Sequence, residues 1–345
     1  MRFALTESKM KRLSKIVLIL LAVVLILVLV GPFLIPVRPL EGLSAPAALA
    51  QENSQFLTLD FPGTDGIEIH YRAGGEGEPA FVLLHGFAGS LFTWDTVFDD
   101  FAARGRVLAY DRPPFGLSER LVAGDWVEAN PYAPDAAVSQ LFALLDQQGI
   151  ERAILVGNSA GGTLALRAAL AQPERVAGLI LVSPAVLAGG GAPGFVQPLL
   201  RSPQLQRIGP LIARFVLTQG NELESRAYYD AGLITEQQRT RSRLGVQVEN
   251  WDRALWEFTA ASQASNLTET LADVTVPVLV VTGENDLVIP ASQSVALAER
   301  LPNAEVVVFP ACGHLAQEEC PAAFLDAVEA WLESSAILQN RAIAP

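Results

Sequence analysis

Ser159 stands between Gly157 and Gly161 in the stretch ILVGNSAGGTLAL, which runs from Ile154 to Leu166. A serine hydroxyl is a weak nucleophile by itself. It becomes effective when a base lies within hydrogen-bond reach, a third group orients that base, and N–H donors face the oxyanion formed on attack. The chain offers 3 histidines for the base: His70, His85 and His314. His70 falls in an early stretch that alternates apolar and polar residues, so it reads as part of an edge strand. His85 directly follows an apolar run and reads as shaping a turn. His314 lies in a glycine-containing loop after a late strand, where an imidazole can reach Ser159. Glu284 and Asp286 compete for the place beside it. The chemistry would be acyl transfer through a covalent intermediate.

The elements around these residues decide between a bland tight turn and a nucleophile. A buried strand should end at Asn158 and a helix should begin near Ala160, with the two glycines allowing the sharp turn between them. The Ala160 N–H then lies beside Ser159 at a helix N-terminus, which favours negative charge. Further short apolar runs, AFVLLHG, RVLAYD, VAGLILVSP and PVLVVTGEND, alternate with helix-like stretches. That order implies a mostly parallel sheet with helices on both faces, an α/β fold. QFLTLDF and GIEIHYRAGG should form an antiparallel edge. Residues 186–265 break the alternation and are helix-rich, so they read as an inserted cap. The resulting division is 1–37 for a flank and span, 38–52 for a Pro/Ala-rich linker without a motif, 53–185 and 266–335 for the core, and 336–345 for a tail.

Ile16 to Val37 carries no polar or charged side chain. At helical rise its 22 residues reach roughly 33 Å, about a bilayer core. Arg2, Lys9, Lys11, Arg12 and Lys15 precede it against Glu7 alone, so the N-terminus is expected in the cytoplasm and the catalytic part outside. A cleaved signal peptide is the competing reading. AALA before Gln51 resembles a cleavage site but lies some twenty residues beyond the apolar core. A retained single-pass anchor is therefore expected. The net charge of −13 and the scarcity of basic clusters beyond the flank argue against nucleic acid as a partner. No phosphate loop and no metal-type His/Cys cluster occurs, and no cofactor is expected.

Four ordered motifs, HGFAGS, YDRPPFGLS, GNSAGG, and the pair GENDLVIP with CGHLAQEE, make the chain resemble the α/β-hydrolase fold family from about Phe56 to Trp331. The branch it resembles carries a serine nucleophile and a helical cap. The resemblance implies a triad in the order Ser159, Asp286, His314, with Asp286 preferred to Glu284, and makes the Phe87 N–H the second oxyanion donor beside Ala160. Pro114 stands where such motifs usually carry glycine, which removes an N–H.

A serine at the turn disfavours the epoxide and halide reactions that use a carboxylate there. Ester hydrolysis is the first reading, on a small and apolar substrate. GNSAGG resembles carbon–carbon hydrolases of ring-fission products, which make the second reading. Against it, those enzymes usually carry Trp where Leu315 stands, and a longer oxyanion segment. A catalytically silent, anchored binding protein is the reading from another class. Trp251, Trp256 and Leu315 are expected to bind substrate, with Phe195, Leu199, Leu200, Phe215, Tyr228 and Tyr229 near the mouth, half of them serving only to pack the cap. The 2 cysteines, Cys312 and Cys320, are expected as small buried thiols rather than a bridge, because spacing alone does not turn their Cβ atoms toward each other.

Overall fold

In this computed structural model, residues 7–187, 191, 193–218, 225–263 and 265–335 are described. The tail expected over 336–345 lies outside them. Eight strands form one sheet: β1 (Gln55–Leu59), β2 (Ile67–Gly74), β3 (Ala80–Leu84), β4 (Arg106–Tyr110), β5 (Ala153–Asn158), β6 (Val176–Val182), β7 (Val278–Gly283) and β8 (Ala304–Phe309). Their order is β1-β2-β4-β3-β5-β6-β7-β8. β1, β2 and β4 pair antiparallel, and every pair from β4 to β8 is parallel.

The unbroken apolar runs follow from burial on both faces. Along β3, Val82 and Leu84 turn toward one side, where α3 (Pro134–Gln147) and α4 (Ala160–Ala171) supply Leu141, Leu144 and Leu164. Phe81 and Leu83 turn toward the other, where α2 (Asp95–Arg104) and the last helix (Pro321–Ser334) supply Phe101, Phe324 and Trp331. The period of two is present in space and invisible in the sequence, since both halves of it are apolar.

Between β6 and β7 lie the cap helices α5 (Gln197–Leu200), α6 (Pro203–Thr218), α7 (Glu236–Ser242) and α8 (Trp251–Ala261). Helix α1 runs from Glu7 to Leu34, so it starts within the charged flank, continues through Pro32, and stops three residues short of the expected Val37. Met10–Leu34 is long and apolar enough to cross a membrane, and its apolar side chains are exposed.

The stretch expected as a plain linker is built into the cap. The Ser44 N–H donates to the Gln247 carbonyl at 2.9 Å, and the Glu249 N–H donates to the Ser44 carbonyl at 3.0 Å. Leu40 and Leu43 pack with Phe115, Trp251 and Leu255, and Leu49 with Leu117, Leu244 and Val248. Leucines spaced without period among Pro and Ala gave no sign of this.

Candidate active site

β5 ends at Asn158 and α4 begins at Ala160, leaving Ser159 alone on the turn. Its backbone sits at φ 53° and ψ −117°, a conformation that side chains seldom adopt and that persists only where the surroundings impose it. The flanking glycines make the turn fit. A Cβ on Gly161 would lie 2.1 Å from the Leu84 carbonyl oxygen, and one on Gly157 would lie 2.5 Å from the Gly161 carbonyl oxygen.

The loop after β7 and the loop after β8 bring the other two groups together. His314 Nδ1 is 2.8 Å from Asp286 Oδ2, and both residues are buried. A carboxylate only accepts, so Nδ1 carries the hydrogen and Nε2 is left as the basic nitrogen. The second Asp286 oxygen accepts the N–H groups of Val288 and Ile289, each at 2.8 Å. Glu284, the competing carboxylate, is exposed to solvent. The His314 main chain is held from both sides. Its N–H donates to the Ala227 carbonyl of the cap at 2.7 Å, and its carbonyl accepts from Asn158 Nδ2 at 3.2 Å. Ser159 and His314 line one cavity of about 1060 Å³.

The two expected oxyanion donors come from different segments, Phe87 from the loop after β3 and Ala160 from the start of α4. Ala160 is the first residue of α4, so its N–H has no acceptor within the helix. The Phe87 N–H is aimed by its neighbours. The Gly86 carbonyl accepts from His85 Nδ1 at 2.7 Å and from Arg112 Nη2 at 3.2 Å. In a trans peptide the N–H points away from the carbonyl of the same unit, so Phe87 presents its N–H on the opposite side from His85 and Arg112. His85 Nε2 accepts the Arg112 N–H at 2.9 Å, which fixes the hydrogen on Nδ1. Burial, aided by the Arg112 charge, pushes the His85 pKa down to about 3, so the ring is neutral and holds this tautomer. His85 thus shapes the loop, as its position after a strand suggested.

His70 is in a second constellation away from this cavity. Its Nδ1 is 2.6 Å from Asp111 Oδ2 and its Nε2 is 2.7 Å from Ser54 Oγ. Asp111 also accepts the N–H groups of Leu91 and Leu117, each at 2.6 Å, and it ties the loops after β3 and β4 together. A Cβ on Gly116 would fall 1.9 Å from this carboxylate, which accounts for the glycine in YDRPPFGLS. Pro114 lines only a small neighbouring hollow.

The substrate wall departs from expectation. Leu315 and Tyr228 line the cavity, but Trp251 and Trp256 do not. Trp256 is packed against Gly209 of α6, where an added Cβ would fall 2.0 Å from its indole, and Trp251 belongs to the cluster with Phe115 and Leu255. Both hold the cap together. Phe195, Leu199, Phe215 and Tyr229 are exposed on its exterior. The apolar cap wall is formed by Leu217, Leu233 and Val246 instead.

The cavity also contains a group that sequence reading passed over. The Glu318 carboxylate accepts from Tyr228 OH at 2.6 Å, from Gln238 Nε2 at 2.9 Å and from Thr93 Oγ1. Burial pushes its pKa up to about 7, against the pull of these three donors. It lies in the quoted CGHLAQEE, but its partners come from three distant segments. Cys312 and Cys320 are joined in a disulfide, contrary to the expected free thiols. The turn at Ala311, with φ 52°, and the short helix α9 (Ala316–Glu319) fold the chain back until the two Cα atoms stand 6.3 Å apart, within bridging range. The bridge closes around His314.

Residues 79–321 match the alpha/beta hydrolase fold family. The chain belongs to the α/β-hydrolase fold family. At this level it is a hydrolase, and its sheet order and cap insertion agree with the resemblance read from the motifs. A 2-hydroxy-6-oxononadienedioate/2-hydroxy-6-oxononatrienedioate hydrolase of Burkholderia vietnamiensis is 32% identical over 288 residues, 77% of this chain and 91% of the relative. The solved 2-hydroxy-6-oxo-6-phenylhexa-2,4-dienoate hydrolase of a Rhodococcus species superposes with a TM-score of 0.62 at 26% identity, covering 81% of this chain and all (100%) of that one. A thermophilic esterase of Thermogutta terrifontis superposes with a TM-score of 0.64 at 23% identity, covering 81% and 98%, which speaks for the fold alone.

Proposed function

We propose that this protein is a membrane-anchored serine hydrolase that cleaves a carbon–carbon bond beside a ketone in an unsaturated oxo acid, with ester cleavage as the second reading. The observation that carries the order is the 32% identity to a 6-oxo-dienedioate hydrolase over 91% of that relative. Hydrolysis at a ketone carbon can only break a carbon–carbon bond. This reverses the order expected from the motifs. The ester reading keeps its place because Leu315 stands beside His314, and because the same triad serves both reactions.

Ser159 Oγ adds to the ketone carbon while its proton passes to His314 Nε2. Asp286 stabilises the imidazolium, and the N–H groups of Phe87 and Ala160 hold the oxyanion. Collapse breaks the bond to the adjacent carbon. With the dienoate in its keto tautomer, the 2-hydroxyl proton having moved to C5, the electron pair enters the conjugated C2 ketone as a dienolate, which takes up the proton from His314. Water then attacks the acyl-enzyme and gives its proton to His314, which passes it to Ser159 Oγ as the intermediate collapses and releases the acid.

Cleavage after Ala50 would strip away Leu40, Leu43 and Leu49, which pack into the cap and the loop beside it, and this supports a retained helix over a signal peptide. The test of function compares 2-hydroxy-6-oxo-6-phenylhexa-2,4-dienoate with p-nitrophenyl butyrate. The proposal expects loss of the dienoate chromophore with equimolar benzoate, at a kcat/KM above that for the ester, both abolished in Ser159→Ala. Ester turnover with the dienoate untouched would replace the first reading with the second.

A further inference from the structure

Among the described residues, the carboxylates of Asp95, Asp99 and Glu318 line the cavity together with Ser159 and His314. The first two are neutralised. Arg72 reaches Asp95 at 3.2 Å and Asp99 at 3.0 Å, and Arg241 also reaches Asp95. Glu318 forms no ion pair among the described residues, and the charged side chain that acts on it most is Asp95, of like sign. The adjacent Glu319 has a structural task. It accepts the N–H groups of Gly313 at 2.6 Å, Tyr229 at 3.0 Å and Asp230 at 2.7 Å, and so ties the His314 loop to the cap. Glu318 instead accepts from the side chains of Thr93, Tyr228 and Gln238.

These partners turn this part of the wall into an acceptor. A carboxylate only accepts, so Tyr228 OH and Thr93 Oγ1 each direct their single hydrogen at Glu318. Thr93 Oγ1 in turn accepts from Gln317 Nε2 at 3.2 Å. Two hydroxyls that could have received an anion therefore have no hydrogen left for one. An arriving carboxylate would meet a like charge and lone pairs, and in a partly desolvated cavity that repulsion is strong. An uncharged arm meets no such penalty, and the apolar Leu233 and Leu315 line the same cavity.

We propose that Glu318 sets the specificity of the cavity by turning away a second carboxylate, so that the substrate is a mono-acid whose far arm is uncharged. A bound oxo acid extends in two directions from the ketone held at Ser159. With one carboxylate it can turn its neutral arm to Glu318. With a carboxylate at each end it has no neutral arm to offer. The inference rests on the carbon–carbon reading proposed above and narrows its substrate class.

The test compares two substrates of equal chain length at pH 8: 2-hydroxy-6-oxonona-2,4-dienoate and 2-hydroxy-6-oxonona-2,4-dienedioate. They differ only in a methyl or a carboxylate at C9. Burial pushes the pKa of Glu318 up to about 7, so at pH 8 the group is ionised. The wild-type protein should show a kcat/KM at least tenfold higher for the mono-acid, with the difference in KM, because the repulsion acts on binding. Glu318→Gln keeps the shape and removes the charge, and that ratio should fall at least fivefold. Glu318→Ala, which leaves room for water to meet Thr93, Tyr228 and Gln238, should lower it likewise. A purely structural role would depress both rates alike and leave the ratio where it was. Circular dichroism checks the fold of each variant, and where neither folds the wild-type ratio decides. Equal kcat/KM for the two substrates in the wild type, or an unchanged ratio in a folded variant, overturns the inference and leaves the carbon–carbon reading standing. Cleavage of p-nitrophenyl butyrate with neither dienoate touched overturns that reading and the inference with it.

Discussion

Replacing Asp286 by Asn tests the base in a way that the geometry makes specific. One Asp286 oxygen accepts two backbone N–H groups, from Val288 and Ile289, at 2.8 Å each. In the variant those two donors hold the amide oxygen in that place, because turning the NH₂ toward them would leave buried donors facing donors. The NH₂ must then face His314 Nδ1, which becomes an acceptor, and the ring hydrogen moves to Nε2. Ser159 would meet an N–H where it needs a lone pair. Loss of the correct tautomer in a serine–histidine–carboxylate system lowers kcat by about 10⁴-fold. That corresponds to about 5.5 kcal/mol at 1.36 kcal/mol per tenfold. Fold and substrate affinity should change little, since the amide and the carboxylate have the same shape. The assay is steady-state kcat and KM with circular dichroism as a control for folding. A kcat loss below tenfold in a folded variant would refute the role given to Asp286.

Glu318→Gln should remove a pH dependence of stability. The folded pKa of Glu318, about 7, lies above its ordinary 4.5, so the folded state binds more protons between those values and loses stability as pH rises through them. The loss is complete above pH 7 and is at most about 3 kcal/mol, reduced by water reaching a half-buried side chain. Urea unfolding at pH 5 and pH 8 should therefore show a smaller decline in the variant, and equal declines would contradict the assignment. Reducing the Cys312–Cys320 bridge, or replacing both residues by Ala, should cost about 2.5 kcal/mol by loop-closure entropy, and should lower kcat because the bridge encloses His314; unchanged unfolding and activity under dithiothreitol would refute this. A chain beginning at Gln51 should be less stable than one beginning at Arg38 by roughly 1–3 kcal/mol, through the lost partial burial of Leu40, Leu43 and Leu49, and equal urea midpoints would show that the segment does not contribute.

The elbow was legible because it is local. A buried strand, a Gly-x-Ser-x-Gly turn and a helix follow one another within twenty residues, and each of the two glycines is required by a backbone contact. The sheet was legible from the order of apolar runs. Asp286 was separable from Glu284 only by motif order, since the decisive difference is burial, and burial depends on the loop after β7 folding onto the loop after β8. The cavity wall was not legible. A tryptophan in a cap helix serves a binding site and a cap core equally well by type, and the contact of Trp256 with Gly209, 47 positions earlier, is what decides. Glu318 was hidden for the same reason. Thr93, Tyr228 and Gln238 converge on it from the loop after β3, the cap loop and α7. The disulfide depends on Cβ direction at the Ala311 turn, which spacing does not encode.

Trapping the nucleophile tests the central claim most directly. The full-length protein is treated with a fluorophosphonate, digested, and the modified residue located by mass spectrometry. Two serines of this chain are candidates in space: Ser159 on the elbow, and Ser54, whose Oγ lies 2.7 Å from His70 Nε2. The account predicts one adduct per chain, on Ser159, with concurrent loss of activity, and with labelling abolished in Ser159→Ala and slowed at least a hundredfold in His314→Ala. An adduct on Ser54, or full activity in a protein modified at Ser159, would contradict it.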